Sequence, residues 1–322
     1  MNGKTQIKGA AMLLLTAFIW GVAFVAQSKG MESVQAFTFN GIRMLLGAAV
    51  LIPVIIIRDA VTSKKLTTEQ KAQKRKSDRK ALLYGAILGV IFCIASNIQQ
   101  HAFIYTTPGK IAFITALYIF FVPVLGLFVK KRTPLLTWLC VVLGFAGLYF
   151  LCVDPKDIGN INKGDLIAIG CAVVFAVHIL AIERFTAKAD GLRLSATQFL
   201  VGGVLSCILM FVFENPSVKA VQSAAVPLLY AGVLSCGVAY TLQVVGQKYT
   251  EATVASLLMC MESVFGVLAS AVILGERLKV RELIGCGIML AAIILSQVSE
   301  SLSARAKAKS EAKIKANKEK TA

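Results

Sequence analysis

Acidic side chains and histidines are scarce in this sequence. Seventeen Asp and Glu face 34 Lys and Arg, and two histidines occur in 322 residues. Charged residues make up 16% of the chain and hydrophobic ones 57%, whereas roughly a quarter of a soluble domain is charged. That balance excludes an ordinary water-soluble fold. The pattern Gly-x-x-x-x-Gly-Lys-Ser/Thr does not occur, so a P-loop and ATP drive from this chain are excluded. Paired acids and His-rich runs are missing from the apolar stretches, which argues against a membrane-embedded enzyme and leaves no ligand set for a metal. No cofactor is expected. The eight cysteines are scattered with no close pair, which fits small core side chains and neither a redox motif nor a disulfide framework.

What the sequence has is apolar length. Crossing a bilayer as a helix takes roughly 20 apolar residues. Ten windows qualify: 7–28, 33–57, 81–105, 108–129, 134–152, 164–185, 195–213, 226–248, 251–274 and 279–299. The first has only Lys4 and Lys8 before it and no small-residue cleavage site, so it reads as a retained span and not as a signal peptide. The fold class is an all-α integral membrane protein of ten transmembrane helices.

Charge placement orients it. Segments on the N-terminal side of the ten spans sum to +16, and those on the other side to +1, the positive-inside asymmetry. Both termini are therefore expected in the cytoplasm. The stretches 62–80 and 303–322 read as solvated loop and tail lying against anionic lipid headgroups. Neither interleaves aromatics with its lysines as a nucleic-acid surface would, so no nucleic acid is expected. GERLKVRE (275–282) falls on the outer side, where Glu276 and Glu282 offset Arg277, Lys279 and Arg281.

A shift of 144 residues lays 96–121 over 240–265, so that Gln99 meets Gln243, Tyr105 meets Tyr249 and Tyr118 meets Glu262. A shift of 155 sets Trp20 over Phe175 and Arg43 over Gln198. Each half holds five spans, and an odd number forces the second half to enter the membrane from the opposite side. The expected organisation is a first repeat (1–152, with the basic loop 58–80), an inverted second repeat (153–299) and a basic tail (300–322). Inverted repeats are a common transporter architecture, with the site near the midplane.

The polar residues inside the spans are the candidate pathway. Asn97, Gln100 and His101 form one helical stripe, expected to line a wet cavity while Ile94, Ala95, Ile98 and Ala102 face oil. Tyr240, Gln243 and Gln247 would wet the other end. Lys110 is expected to snorkel to the outer interface. Arg43 and Glu262 lie deep in spans, where a central charge costs roughly 2.5–3.5 kcal/mol. They either pair, serve as helix contacts, or leave Glu262 to carry a coupling proton. His101 and His178 could bind a proton or a solute, or be structural; Trp20, Tyr118 and Tyr240 are aromatics for either cavity or packing.

The chain resembles the EamA-type, ten-span branch of the drug/metabolite transporter superfamily. The resemblance rests on FIWGVAF (18–24), FNGIRMLLGAAVLIP (39–53), ALYIFFVPVLG (116–126) and LLMCMESVFGVLASAVILGERL (257–278). Ser263 stands where the family often has proline, which puts a kink there in doubt. The resemblance implies a plasma-membrane carrier, often an exporter of amino acids or other metabolites. With neutral donors and acceptors, aromatics and one charge of each sign, the passage suits a neutral or zwitterionic amino-acid-like solute moved by rocking of the two halves. A multidrug or nucleotide-sugar-like exporter is the alternative, and a membrane-embedded enzyme on lipid-linked substrates the alternative of another class.

Overall fold

The computed structural model describes residues 3–63, 66–105, 108–131, 133–153, 162–274 and 279–299. Ten helices in it are long and apolar enough to cross a bilayer: α1 (Thr5–Met31), α2 (Ala36–Thr62), α3 (Thr68–Ala102), α4 (Lys110–Phe128), α5 (Leu135–Cys152), α6 (Lys163–Thr186), α7 (Gly191–Phe213), α8 (Ala225–Gly246), α9 (Ala252–Ala269) and α10 (Val280–Ser299). No strand occurs among the described residues. Hydrocarbon dictates this outcome, because each backbone N–H and C=O must be satisfied within its own helix. Apolar side chains such as Ile56, Phe211 and Phe213 are exposed on the outside of the bundle, where the solvent is lipid. Leu13 and Ala17 of α1 are fully buried, so the first span is part of the core. The tail 300–322 and the segment 275–278 lie outside the described residues.

The basic stretch expected as loop is largely helix. α3 starts at Thr68, and Thr67 and Gln70 form a reciprocal capping box that satisfies the first N–H groups. Two charges of 68–80 are matched locally: Lys74 bonds Asp59 and Asp78, and Arg193 bonds the same two acids. Arg58 grips Asp190 through both nitrogens at 2.9 and 3.0 Å. At the opposite end of the bundle, Glu214 accepts from the Phe37 and Thr38 N–H groups (2.8 and 2.7 Å) and caps α2 from the end of α7. α2 and α7 are thus tied at both ends. Lys110, expected to snorkel, lies 3.8 Å from Asp165, which also takes part in the capping box of α6 with Asn162.

The five-helix halves do not form separate lobes. α1 packs on α8 and α9, α2 on α7 and α8, α3 on α6 and α7, and α4 on α5, α6 and α9. Small residues allow these approaches. A Cβ on Gly89 of α3 would stand 2.7 Å from the Gln198 carbonyl of α7, and one on Gly21 of α1 would stand 2.8 Å from the Glu262 carbonyl of α9.

Three spans are irregular, all beside the same point. α4 is two pieces, Pro108–Thr115 and Tyr118–Phe128. α9 is Ala252–Met259 followed by Met261–Leu274, interrupted at Cys260, three residues before Ser263, where a kink was in doubt. The interruption is stabilised from across the interface: the Cys260 Sγ donates to the Ala116 carbonyl at 3.6 Å, break against break. α8 contains a π-helical segment, Tyr230–Tyr240. Such wide turns concentrate at functional sites.

Candidate functional site

The interruptions surround an internal cavity. α1 contributes Trp20, Phe24 and Gln27 to it, α2 Arg43, α3 Gln99 and α4 Thr115 and Tyr118. From the second half come Phe175 and Ile179 of α6, Ser235, Tyr240 and Gln243 of α8, and Met259 and Glu262 of α9. Its free volume is about 40 Å³, room for about three waters at roughly 10–15 Å³ each. A metabolite does not fit in this conformation, and binding one requires the walls to part.

One wall is cationic. Arg43 is 2% exposed; its Nε donates to the Asn40 Oδ1 at 2.7 Å and its Nη1 to the Gln27 Oε1 at 3.2 Å. Asn40 in turn donates to Asn97, and Asn97 donates to Ser206. The guanidinium is therefore oriented by a chain of neutral polar side chains, three amides and a hydroxyl, across α1, α2, α3 and α7. The other wall is acidic. The Tyr118 hydroxyl donates to the Glu262 Oε1 at 3.0 Å. No ion pair joins Arg43 to Glu262, or either of them to any other described side chain. Direct pairing, one of the alternatives for the two, is replaced by neutral partners on each side.

Between them stand aromatics and amides. Trp20 and Tyr240 rings meet at 4.4 Å, and Phe92 packs edge-on to Tyr240 at 4.6 Å. Gln99 donates to Thr115 at 3.2 Å. The Trp20 Nε1 and the Gln243 Oε1 are buried without a hydrogen-bond partner among the described residues, which leaves both groups for a solute or water to satisfy.

The structure divides the candidate residues. Trp20, Arg43, Tyr118, Tyr240, Gln243 and Glu262 converge on the cavity. Asn97 lies behind Arg43 as a support. Gln100 is fully buried away from the cavity wall. His101 is exposed in the last turn of α3, edge-on to Tyr105, so the expected wet stripe is split. Ala95 and Ala102, expected to face oil, are fully buried, because α3 is covered by α6 on one side and α7 on the other. His178 is buried behind the cavity and bonded to Gln198 at 2.8 Å. Gln247 donates to the Ile179 carbonyl at 3.2 Å and borders a second, larger cavity of about 680 Å³ between the ends of α4, α6 and α8. There Lys131 pairs with Glu183, and burial holds the Lys131 ammonium below its usual range, together with Arg184 and against the pull of Glu251. Gln27, Thr115 and Ser235 were not singled out from the sequence, where each is one polar residue in an apolar run. Gln99 carried a signal: it is the residue that overlays Gln243.

Comparison with known proteins gives one consistent result. The EamA-like transporter family matches residues 7–153 and 162–297. An uncharacterized transporter of Archaeoglobus fulgidus is 25% identical over 295 residues, covering 91% of this chain and 87% of the relative. The uncharacterized transporter YoaV of Bacillus subtilis is 24% identical over 297 residues, covering 88% and 97%. A solved crystal structure superposes with a TM-score of 0.70 over 90% of this chain and 96% of its own, at 19% identity; it shows a shared fold.

Proposed function

The chain belongs to the EamA-like transporter family, and on that premise we propose that it is a secondary transporter, working as an exporter, for a small zwitterionic metabolite of the amino-acid type. One observation carries the substrate class: the cavity holds a guanidinium and a carboxylate that face a common space and are each held by neutral partners alone. A buried charge without a counter-charge is costly, and a solute with a carboxylate at one end and an ammonium at the other supplies both. A polyanion such as a sugar phosphate would call for several converging cations, and among the described residues Arg43 is the single basic one on the cavity wall.

Alternating access between inverted repeats is the mechanism we infer. It is supported by the partners that meet at the cavity: Tyr118 with Glu262, and Ala116 with Cys260, are each 144 residues apart, the same offset that overlays the halves. Interleaved packing makes the motion a re-aiming of contacts between halves around the breaks in α4 and α9, and not a hinge between two blocks. With both termini in the cytoplasm, a reporter fused within 62–80 would read the same side as one fused after 299, and one within 215–217 the other.

Binding has an internal probe. The protein has two tryptophans, and Trp20 is the one on the cavity wall. Titration with neutral amino acids in detergent should change its emission saturably, and Trp20→Phe should remove the change. A response to phosphorylated sugars alone would sink this reading of the cavity.

A further inference from the structure

A third cavity, of about 440 Å³, opens where α3 begins, and its walls are Gln73, Lys76, Ser77 and Lys80 of α3, the turn between α6 and α7, and Lys248 after α8. Four lysines line it: Lys76, Lys80, Lys188 and Lys248. None of the four forms an ion pair with a described residue. The acid on its wall, Asp190, is already committed, since its oxygens take both Arg58 nitrogens and the Arg193 N–H.

The adjoining cavity makes the imbalance specific. A few residues away, Arg58, Asp59, Lys74, Asp78, Asp190 and Arg193 are matched base to acid. The same region of the chain therefore balances its charges in one concavity and leaves four cations unbalanced in the next. The depth of the site is set by α3. Lys76, Lys80, Leu83 and Ile87 fall at i, i+4, i+7 and i+11 and share one helix face. Leu83 is 62% exposed and Ile87 41%, so the stripe runs from cations into lipid-facing hydrocarbon.

We propose that this cavity is a binding site for the headgroup of an anionic phospholipid, with the phosphate among the four lysines and an acyl chain along Leu83 and Ile87. Basic pockets between helices at a membrane face bind such headgroups. The apolar continuation distinguishes a lipid from a free anion, which would have no use for the exposed Leu83 and Ile87. Because the walls come from α3, the α6–α7 turn and the end of α8, a bound lipid would link both halves of the sequence.

The test is thermal unfolding of the full purified chain in detergent against added phosphatidylglycerol, with phosphatidylcholine and inorganic phosphate as parallel arms. Phosphatidylglycerol is expected to raise the unfolding temperature saturably, and the other two to leave it unchanged. The combined Lys76→Gln, Lys80→Gln, Lys188→Gln, Lys248→Gln variant should lose the shift. The control Lys71→Gln, Arg75→Gln, Arg79→Gln, which removes three neighbouring cations that do not line the cavity, should keep it. Single variants Lys76→Gln and Lys188→Gln, which cover the case of a combined variant that does not fold, should each weaken the apparent affinity roughly fivefold. An unchanged shift in the site variants overturns the proposal, and so does an equal shift with inorganic phosphate alone.

Discussion

Glu262→Gln is expected to lower solute flux by about 10- to 100-fold, the range for losing a hydrogen bond to a charged group, while folded protein remains in the membrane. Glutamine is isosteric, and its carbonyl can accept the Tyr118 hydroxyl as the carboxylate does at 3.0 Å, so the contact between α4 and α9 survives. What disappears is the negative charge of the cavity and its capacity to take up a proton. Flux in liposomes at several pH values separates the two roles. If Glu262 carries the coupling proton, the residual flux of the variant no longer varies with pH. If it only holds the ammonium, flux falls and the pH profile keeps its shape. Wild-type flux with an unchanged pH profile would remove Glu262 from the mechanism.

Arg43→Met should act on both stability and transport. It leaves the Asn40 Oδ1 and the Gln27 Oε1, which now accept from the guanidinium, without a donor, at about 1–3 kcal/mol for each orphaned acceptor. Thermal unfolding should fall accordingly. Arg43→Lys keeps the charge but not the planar fork that reaches both amides; it should fold more stably than Arg43→Met and still lose affinity. The diagnostic comparison uses an amino-acid methyl ester, which lacks the carboxylate. If Arg43 holds that carboxylate, flux of the ester should be much less sensitive to Arg43→Lys than flux of the parent amino acid. Equal losses for both would make Arg43 a structural residue only.

The spans were legible because a helix in hydrocarbon announces itself by apolar length, and all ten windows coincide with helices to within their ends. The long exception is α3, whose first turns are polar and charged. They are helical with a capping box at their start and with Asp59 of α2 bonded to Lys74, neither of which apolar length can reveal. Rotation of each helix about its axis was less legible. Asn97 and His101 share a face by spacing, yet one is buried against α2 and α7 and the other is exposed, because α3 runs out at Ala102. Gln27 was invisible for the same reason: a single amide in an apolar run acquires meaning only when Arg43 of another helix reaches it. The break at Cys260 has no local cause in the sequence. Its partner is Ala116, at the matching break of α4, a contact between distant spans that no local sequence pattern shows.

On the proposed function, a zwitterionic solute passes through the cavity between α1, α2, α3, α4, α6, α8 and α9. Counterflow in liposomes tests it most directly: vesicles containing the purified chain are preloaded with an unlabelled neutral amino acid and diluted into a trace of the labelled one. Transient accumulation of label is expected that requires the protein and is lost in Glu262→Gln, with none for a sugar phosphate treated in the same way. Exchange of the sugar phosphate, with no protein-dependent movement of any neutral amino acid, would contradict it.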